Sequence, residues 1–119
     1  MTYTLLQEGD PGIEVLGGFF RKIRSALGAT AFGINEVRLP AGAAGVEHDE
    51  TGTGHEEVYL VLTGAGTFHV DGEDVAVNAG DYLRVDAAAT RQPVAGPEGM
   101  RFLAVGAQPN AAHEGRESL

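Results

Sequence analysis

The sequence predicts an all-β domain, a sandwich or barrel of short strands that begins near Ala31. Three observations predict it: β-branched and aromatic residues come in short runs, glycine-rich segments separate the runs, and an Asp-Gly pair lies between two of them. The predicted strands are AFGINEVRL, EEVYLVLT, GTFHV, EDVAV, DYLRV and MRFLAVG.

The first 30 residues are expected to form a strand and turn segment that packs on the barrel or on a partner subunit. Within it, GGFFRKIRSALG is compatible with a strand or with a short helix that carries Phe20, Ile23 and Leu27 on one side. We favour a strand into Ile23 followed by a turn at Gly28. The barrel is expected over residues 31–107.

The clearest turn is Asp71–Gly72, where a two-residue loop with positive φ predicts a hairpin. Its register puts Phe68 and Val75 on one buried face. On the other face it pairs His69 with Asp74, which we interpret as a solvent-side pair. The residues expected in the core are Phe68, Phe102, Val61 and Val75.

The tail over residues 108–119 has no periodicity and mixes proline, glycine and charge, so a surface extension is expected there, with His113 solvated. A length of 119 residues suits one domain with its own core. No apolar run approaches the roughly 20 residues that cross a bilayer. The opening MTYTLLQEGDPG lacks the features of a secretory signal, and a cytoplasmic location is expected.

Charge and cysteine content exclude several classes of function. Eight Lys and Arg residues face seventeen Asp and Glu residues, for a net charge of −9, which excludes nucleic acid and anionic membranes as main partners. The chain has no cysteine, which excludes disulfides, thiolate nucleophiles and cysteine-ligated zinc.

The stretch EHDETGTGHEE, Glu47–Glu57, concentrates histidines and acids around a TGTG loop. If the loop closes a hairpin, Glu50 lies opposite His55 and His48 opposite Glu57, with all four side chains on one face and opposed Cβ atoms roughly 5 Å apart. Two imidazoles with carboxylates suit Fe(II), Mn(II), Ni(II) or Zn(II) and leave coordination positions for substrate or water. The same His and Glu pairs would also stabilise a hairpin with no ion present.

The stretch from Gly42 to Gly64 resembles the first signature of the cupin superfamily, in which a glycine precedes a His-x-His pair, a glutamate and a second glycine. His48 and Glu57 keep their spacing from the two glycines. Glu50 stands at the second histidine, and the gap to Glu57 is longer than in the signature. A longer loop makes His55 a candidate substitute ligand.

The second cupin signature keeps its spacing from Gly80, but Arg91 stands at its histidine, the last metal ligand of the family. Three further positions also differ, at Asp86, Ala88 and Ala95. The segments LGATAFG, HDE, HEEVYLVL and VDGE are similar to those of small single-domain bacterial cupins. The resemblance implies an antiparallel double-stranded β-helix, or jelly-roll barrel, with the ligand residues pointing inward.

Arg91 is the residue whose role the sequence leaves most open. A guanidinium cannot coordinate a cation, so Arg91 opposes a metal at its position. It could form a bidentate pair with Glu57, clamp a carboxylate or enolate oxygen of a substrate, or point into solvent at the barrel mouth. Tyr59 shares the strand face of Glu57, so it lines the pocket or fills the core.

Three functions follow as hypotheses. In the first, His48, Glu50, His55 and Glu57 bind a divalent metal, with Glu57 and Arg91 catalytic in dioxygenase, isomerase or cyclase chemistry on a small oxygenated or anionic molecule. In the second, Arg91 pairs with Glu57 and the barrel binds a small molecule without metal. In the third, a filled barrel serves as an interaction protein. The resemblance also implies a homodimer.

Overall fold

The computed structural model describes residues 2–10 and 13–109, and the fold is an antiparallel β-barrel. Seven strands are hydrogen-bonded in the order β1-β2-β3-β7-β4-β5, with β6 on β4. The strands are β1 Glu14–Val15, β2 Phe20–Arg21, β3 Gly33–Leu39, β4 Glu56–Val70, β5 Glu73–Asn78, β6 Tyr82–Val85 and β7 Arg91–Ala107. A 3-10 turn spans Leu16–Gly18, and a short helix, α1, spans Ile23–Leu27.

Two long strands, β4 and β7, connect the two halves of the barrel. One half contains β6 and the other contains β5, and β4 and β7 run through both. The first part of β4 lies between β6 and the C-terminal part of β7, and its second part lies between β5 and the N-terminal part of β7. The register shifts between Val61 and Thr63 and again between Gly64 and Gly66. Such irregularities bend a strand and allow it to pass from one sheet to the other.

The bend requires glycine at Gly64. The φ of Gly64 is 76°, and a Cβ on Gly64 would lie 2.1 Å from the carbonyl oxygen of Gly99. Gly99 also has a positive φ, of 80°. A contact this short leaves no room for a side chain, so the two strands meet backbone to backbone at this corner.

The core lies between the two halves of the barrel and confirms three of the predicted core residues as fully or almost fully buried. Phe68, Phe102 and Val61 are no more than 2% exposed, and Val75 packs against them partly buried. The rings of Tyr59 and Phe68 have centroids 4.7 Å apart, and Phe102 meets Phe68 edge-on at 5.3 Å. Such tilted contacts are the favoured geometry of buried aromatic pairs.

The Asp71–Gly72 hairpin is confirmed in turn and register. Asp71 and Gly72 have φ values of 47° and 83°, and Phe68 lies opposite Val75. His69 lies opposite Asp74 and contacts it, and both side chains are exposed. The pair is therefore a solvent-side contact, as predicted.

The predicted hairpin at TGTG is wrong. The backbone oxygen of Glu50 accepts hydrogen bonds from Thr53 at 3.2 Å and Gly54 at 2.6 Å, so the loop closes on itself. His48 pairs with Arg91 on β7 and not with Glu57. The segment that leads into the loop therefore runs beside the start of β7, at Arg91, and beside Ala87 in the connection before β7.

The last strand is longer than predicted. MRFLAVG was expected to form it alone, but β7 already begins at Arg91 and runs through two prolines. Pro93 lies opposite Phe68, and its carbonyl accepts a hydrogen bond from Gly45 at 2.8 Å. Pairing with β4 covers residues 91–95 and 100–107, and the Pro and Gly residues of 96–99 lie at the register shift between them without a partner on β4.

The N-terminal segment adds β1 and β2 to the edge of β3. The strand expected to reach Ile23 ends at Arg21, and residues Ile23–Leu27 form one helical turn. Gly28, with a φ of 72°, caps that turn, and the turn predicted there is present. Of the predicted tail, residues 110–119 with His113 lie outside the described residues.

Charged side chains cover the outer face of β3 and β7 around Glu36, whose side chain is only 4% exposed. Arg101 Nη2 lies 3.1 Å from Glu36 Oε2, and Arg38 Nε lies 2.5 Å from Oε1. Arg21 Nη1 lies 3.5 Å from the same carboxylate. Glu8 ties the N-terminal chain to this cluster, because its Oε1 accepts from Arg38 at 3.0 Å. Within the described residues, no helix is long and apolar enough to cross a bilayer.

Candidate functional site

Three of the four proposed ligand residues meet inside the barrel. Ligand atoms of His48, Glu50 and Glu57 all lie within 4.8 Å of one another. His48 Nε2 is 3.5 Å from Glu50 Oε2 and 3.7 Å from Glu57 Oε1. One imidazole and two carboxylates at these distances can converge on a single cation.

The three side chains come from two different parts of the fold. Glu57 lies near the start of β4, opposite Gly106. Glycine at position 106 leaves room for the Glu57 side chain, because a Cβ on Gly106 would lie 3.2 Å from Cγ of Glu57. His48 is held by paired hydrogen bonds with Arg91, of 2.9 and 2.8 Å between backbone atoms. Glu50 donates its backbone N–H to the oxygen of Ala87 at 2.8 Å. Glu57 therefore belongs to the sheet, while His48 and Glu50 lie on the connecting segment beside it.

Arg91 is fully buried behind this group, with 0% of its surface exposed. Its Nη2 donates to Glu57 Oε1 at 3.1 Å and its Nε donates to the hydroxyl of Tyr59 at 3.0 Å. Its Nη1 donates to the backbone oxygens of Ala89 at 2.7 Å and Asp86 at 3.3 Å. The guanidinium is thus held by four partners.

These contacts correct the alternatives for Arg91. The solvent-exposed position is wrong, since the side chain is completely covered. The predicted pair with Glu57 is present, but a single oxygen of the carboxylate takes part and the pair is not bidentate. Arg91 is also not among the residues that line the cavity, so in this structure it has no surface to offer a substrate.

The two oxygens of Glu57 have different surroundings. Oε1 accepts from Arg91 and, at 2.6 Å, from the hydroxyl of Tyr59. Among the described residues, none donates a hydrogen bond to Oε2. Burial pushes the pKa of Glu57 upward, but hydrogen bonds and charge from His48, Tyr59 and Arg91 outweigh it and hold that pKa below its usual range. Glu57 is therefore an ionised carboxylate with one oxygen fixed and one available.

His48 faces this negative charge. The neighbouring Glu57 raises the pKa of His48 against the opposing effect of burial. Its Nδ1 lies 3.3 Å from the backbone oxygen of Val46, which can only accept, so Nδ1 carries a proton in that contact. Nε2 then faces the carboxylates of Glu50 and Glu57, where it needs a proton or a metal ion.

His55 is not part of the group. Within the described chain, the residues that could share one metal ion are His48, Glu50 and Glu57. The backbone N–H of His55 donates to Thr53 Oγ1 at 3.1 Å, inside the TGTG turn. Because that turn does not close a hairpin, His55 is not carried to a position facing Glu50.

A cavity of about 740 Å³ opens beside the three residues. Tyr59 lines it and is also packed in the core, so both roles expected for it are found. Asn35 lines the cavity, whereas Arg38 lies on the outer face. Lys22 and apolar residues between Val15 and Phe20 also line the cavity. Sequence patterns did not indicate this, because only the pairing of β2 with β3 brings these residues to the cavity.

The family model described as "Cupin domain" matches residues 35–106, which is more than half of the chain. The chain belongs to the cupin family. Within this cupin domain lie both signatures that resemble the family, together with the His48, Glu50 and Glu57 group.

A curated relative of this cupin is an "Oxalate-binding protein" from Thermotoga maritima, 34% identical over 70 residues. The match covers 58% of this chain and 56% of the relative, so it spans little more than half the relative's length.

Solved structures confirm the fold of this cupin. A cupin protein from Bacteroides fragilis aligns with a TM-score of 0.78 and 24% identity, over 95% of this chain and 90% of its own. A structure from Thermotoga maritima described as a predicted oxalate decarboxylase aligns with a TM-score of 0.62 and 27% identity, over 75% of this chain and 78% of its own. A sugar phosphate isomerase from Silicibacter pomeroyi aligns with a TM-score of 0.63 at 24% identity, over 75% of this chain and 58% of its own.

Proposed function

We propose that this cupin binds one divalent metal ion through His48, Glu50 and Glu57 and uses it to hold a small oxygen-bearing molecule in the barrel. The observation that carries the proposal is the convergence of three ligand atoms within 4.8 Å beside a cavity of about 740 Å³. Pockets of this size commonly take small organic ligands.

The residues present suit a metal of moderate hardness. Two carboxylates and one imidazole are donors that Mn(II), Fe(II), Ni(II) and Zn(II) accept, and three protein ligands leave positions free for a substrate. When bound, the metal would act as a Lewis acid that polarises a substrate oxygen, which suits the oxidoreductase, isomerase and cyclase reactions open to this fold.

The protein's own groups would do the rest. Arg91 and Tyr59 hold Glu57 Oε1 in place and keep the carboxylate ionised, so both act as positioning residues. Glu50, whose Oε1 accepts from Thr53 at 3.0 Å, is the more exposed carboxylate, at 20% against 14% for Glu57. Glu50 is therefore the ligand of the two that a bound molecule can reach more easily.

Metal analysis tests the proposal directly. Protein purified without chelators should contain close to one equivalent of metal per chain, or take it up on titration with each divalent ion in turn. His48→Ala should abolish that binding, while His69→Ala, which removes an exposed histidine paired with Asp74, should leave it unchanged. Absence of metal after incubation with Mn, Fe, Ni and Zn would exclude the proposal.

A metal-free binding protein is the second candidate, and the Arg91 to Glu57 contact favours it. The buried guanidinium already neutralises Glu57, so the barrel can exist without an ion. The oxalate-binding relative supports a small acid as ligand for either candidate. Calorimetry on chelator-treated protein distinguishes them, because ligand binding that survives metal removal identifies the second. A filled barrel, the third hypothesis, conflicts with the open cavity.

We also propose that the chain forms a homodimer and resides in the cytoplasm, both as expectations from the sequence. A light-scattering mass of about twice the chain mass of 12.4 kDa would support the dimer, and a mass of one chain would overturn it.

A further inference from the structure

The cavity is lined by a group of polar side chains and by a larger apolar wall. Its charged and polar lining residues are His48, Glu50, Glu57, Asn35 and Lys22, together with Tyr59. Between and around them the wall is apolar, and the side chains that form its inner part include Val37, Leu39, Phe102 and Ala104. A ligand that fills this space meets oxygen and nitrogen atoms at His48, Glu50 and Glu57 and hydrocarbon over most of the remaining wall.

Apolar side chains also surround the opening of the cavity. Leu16 is 67% exposed, Val46 is 66% exposed and Phe19 is 41% exposed, and all three line the cavity. Leu16 and Phe19 belong to the N-terminal segment, which lies before the matched cupin domain of residues 35–106. Large apolar side chains gathered at the opening of a pocket remain in water until something covers them. An apolar ligand body would remove that surface from water and gain affinity in proportion to the area covered.

We infer that the ligand is a small acid or enol with an apolar body, whose oxygen-bearing head reaches His48, Glu50 and Glu57. The position of the head rests on the proposed function, whereas the apolar body rests on the cavity wall alone. A dianion as small as oxalate leaves the apolar wall without contacts, and a sugar phosphate would bring hydroxyl groups against it without partners. Neither is the ligand that this cavity matches best.

Three probes with related heads test the inference on Mn(II)-loaded protein by titration calorimetry. Phenylpyruvate and pyruvate share the same 2-oxo acid head, so their comparison isolates the aromatic body, and oxalate provides a chelating dianion with no body. Phenylpyruvate should bind at least about ten-fold more tightly than pyruvate, a difference of about 1.4 kcal/mol, because its aromatic ring is buried against the apolar wall. Equal affinity for the two acids, or a preference for oxalate, would overturn the inference.

Two variants locate the effect. Ala104→Phe places a ring inside the cavity and should remove the preference for phenylpyruvate without loss of metal, whereas Ala76→Phe, on an exposed position of β5, should keep it. Should Ala104→Phe not fold, Val46→Ser at the exposed rim tests the same point and should reduce the preference several-fold. An unchanged preference in the folded variant contradicts the assignment.

Failure of the metal site is distinguishable from failure of this inference. If the protein binds no metal, 3-phenylpropionate and propionate are compared on metal-free protein, and a preference for the first still supports the apolar body. If metal binds and the body makes no difference, the metal site stands and the ligand class is wrong. If Val46→Ser lowers the light-scattering mass from that of two chains to that of one, a second copy of the chain covers the rim, which would also overturn the inference.

Discussion

Arg91 and Glu57 form a buried ion pair between the first residue of β7 and the start of β4, with Nη2 and Oε1 3.1 Å apart. The positive charge of Arg91 therefore lies directly beside Glu57, one of the three proposed metal ligands. Tyr59 bonds to both partners, so the three form a closed group behind the cavity. In this cupin, a guanidinium thus occupies the position that the family's second signature gives to a histidine ligand.

Loss of Arg91 should destabilise the fold. Arg91→Met leaves the partly buried Glu57 with only His48 beside it, which should cost up to about 3–5 kcal/mol, the loss found when one partner of a buried pair is removed. Urea unfolding of the metal-free protein measures the change. The double variant Arg91→Met with Glu57→Gln should recover part of the loss, because the unpaired charge is removed. A single variant as stable as the parent would show that the pair contributes nothing.

The hydroxyl of Tyr59 should contribute stability separately from its ring. Tyr59→Phe keeps the contacts with Phe68 and Phe102 but removes the donor to Glu57 and the acceptor for Arg91, at a cost of about 1–3 kcal/mol. Tyr82→Phe is the matched control, since Tyr82 is 74% exposed and should change stability very little. Chemical denaturation of both variants provides the comparison, and equal effects would contradict this account.

Glu36 should make stability dependent on acid pH. Burial pushes its pKa upward, but hydrogen bonds and charge from Arg101 and Arg38 outweigh burial and lower that pKa from the ordinary value of 4.5. A carboxyl with a lowered pKa in the folded state contributes stability above its unfolded pKa, and the contribution disappears as pH falls through the folded value.

The prediction for Glu36 is tested by following the free energy of unfolding from pH 7 to pH 3. The parent should lose more stability than Glu36→Gln over this range, and most of the difference should arise below pH 4.5. Glu98→Gln, at an exposed position, should follow the parent. Parallel curves for parent and Glu36→Gln would exclude the effect.

Gly64 should tolerate no side chain. Gly64→Ala combines a positive φ of 76° with a Cβ only 2.1 Å from Gly99, and should lose more than about 2 kcal/mol or fail to fold. Gly72→Ala is the control, because its φ is 83° but nothing lies within 4 Å, so it should show only the backbone strain of about 1–2 kcal/mol. Thermal unfolding ranks the two, and a smaller loss at Gly64 would contradict the steric argument.

Local patterns were enough for the hairpin at Asp71–Gly72, because the turn residues and the alternation beside them fix turn and register together. The same reasoning failed at TGTG, where the backbone oxygen of Glu50 accepts its hydrogen bonds from Thr53 and Gly54 within the loop. His48, which was expected to pair with Glu57, pairs with Arg91. Arg91 lies 32 residues from Tyr59 and 34 from Glu57 in sequence, so local patterns could not bring them together. The resemblance to the second cupin signature made the Arg91–Glu57 pair one of three alternatives, and the structure was needed to choose it and to reveal the bond to Tyr59. Three of the four proposed ligands are close in the fold, but they converge by a route other than the predicted hairpin.

The division of the site between a strand and a connecting segment bears on how such a barrel can diversify. Glu57 is part of the paired sheet, whereas His48 and Glu50 lie on a connecting segment, outside the named strands, that is joined to residues 87–96 by six backbone hydrogen bonds. Side-chain substitutions at positions such as His48 and Glu50 can alter the groups presented to the interior while these backbone hydrogen bonds stay in place, and changes of length are confined to the turn after Glu50. We therefore expect residues 41–55 to be the region in which natural or selected substitutions change the chemistry of the site without changing the fold.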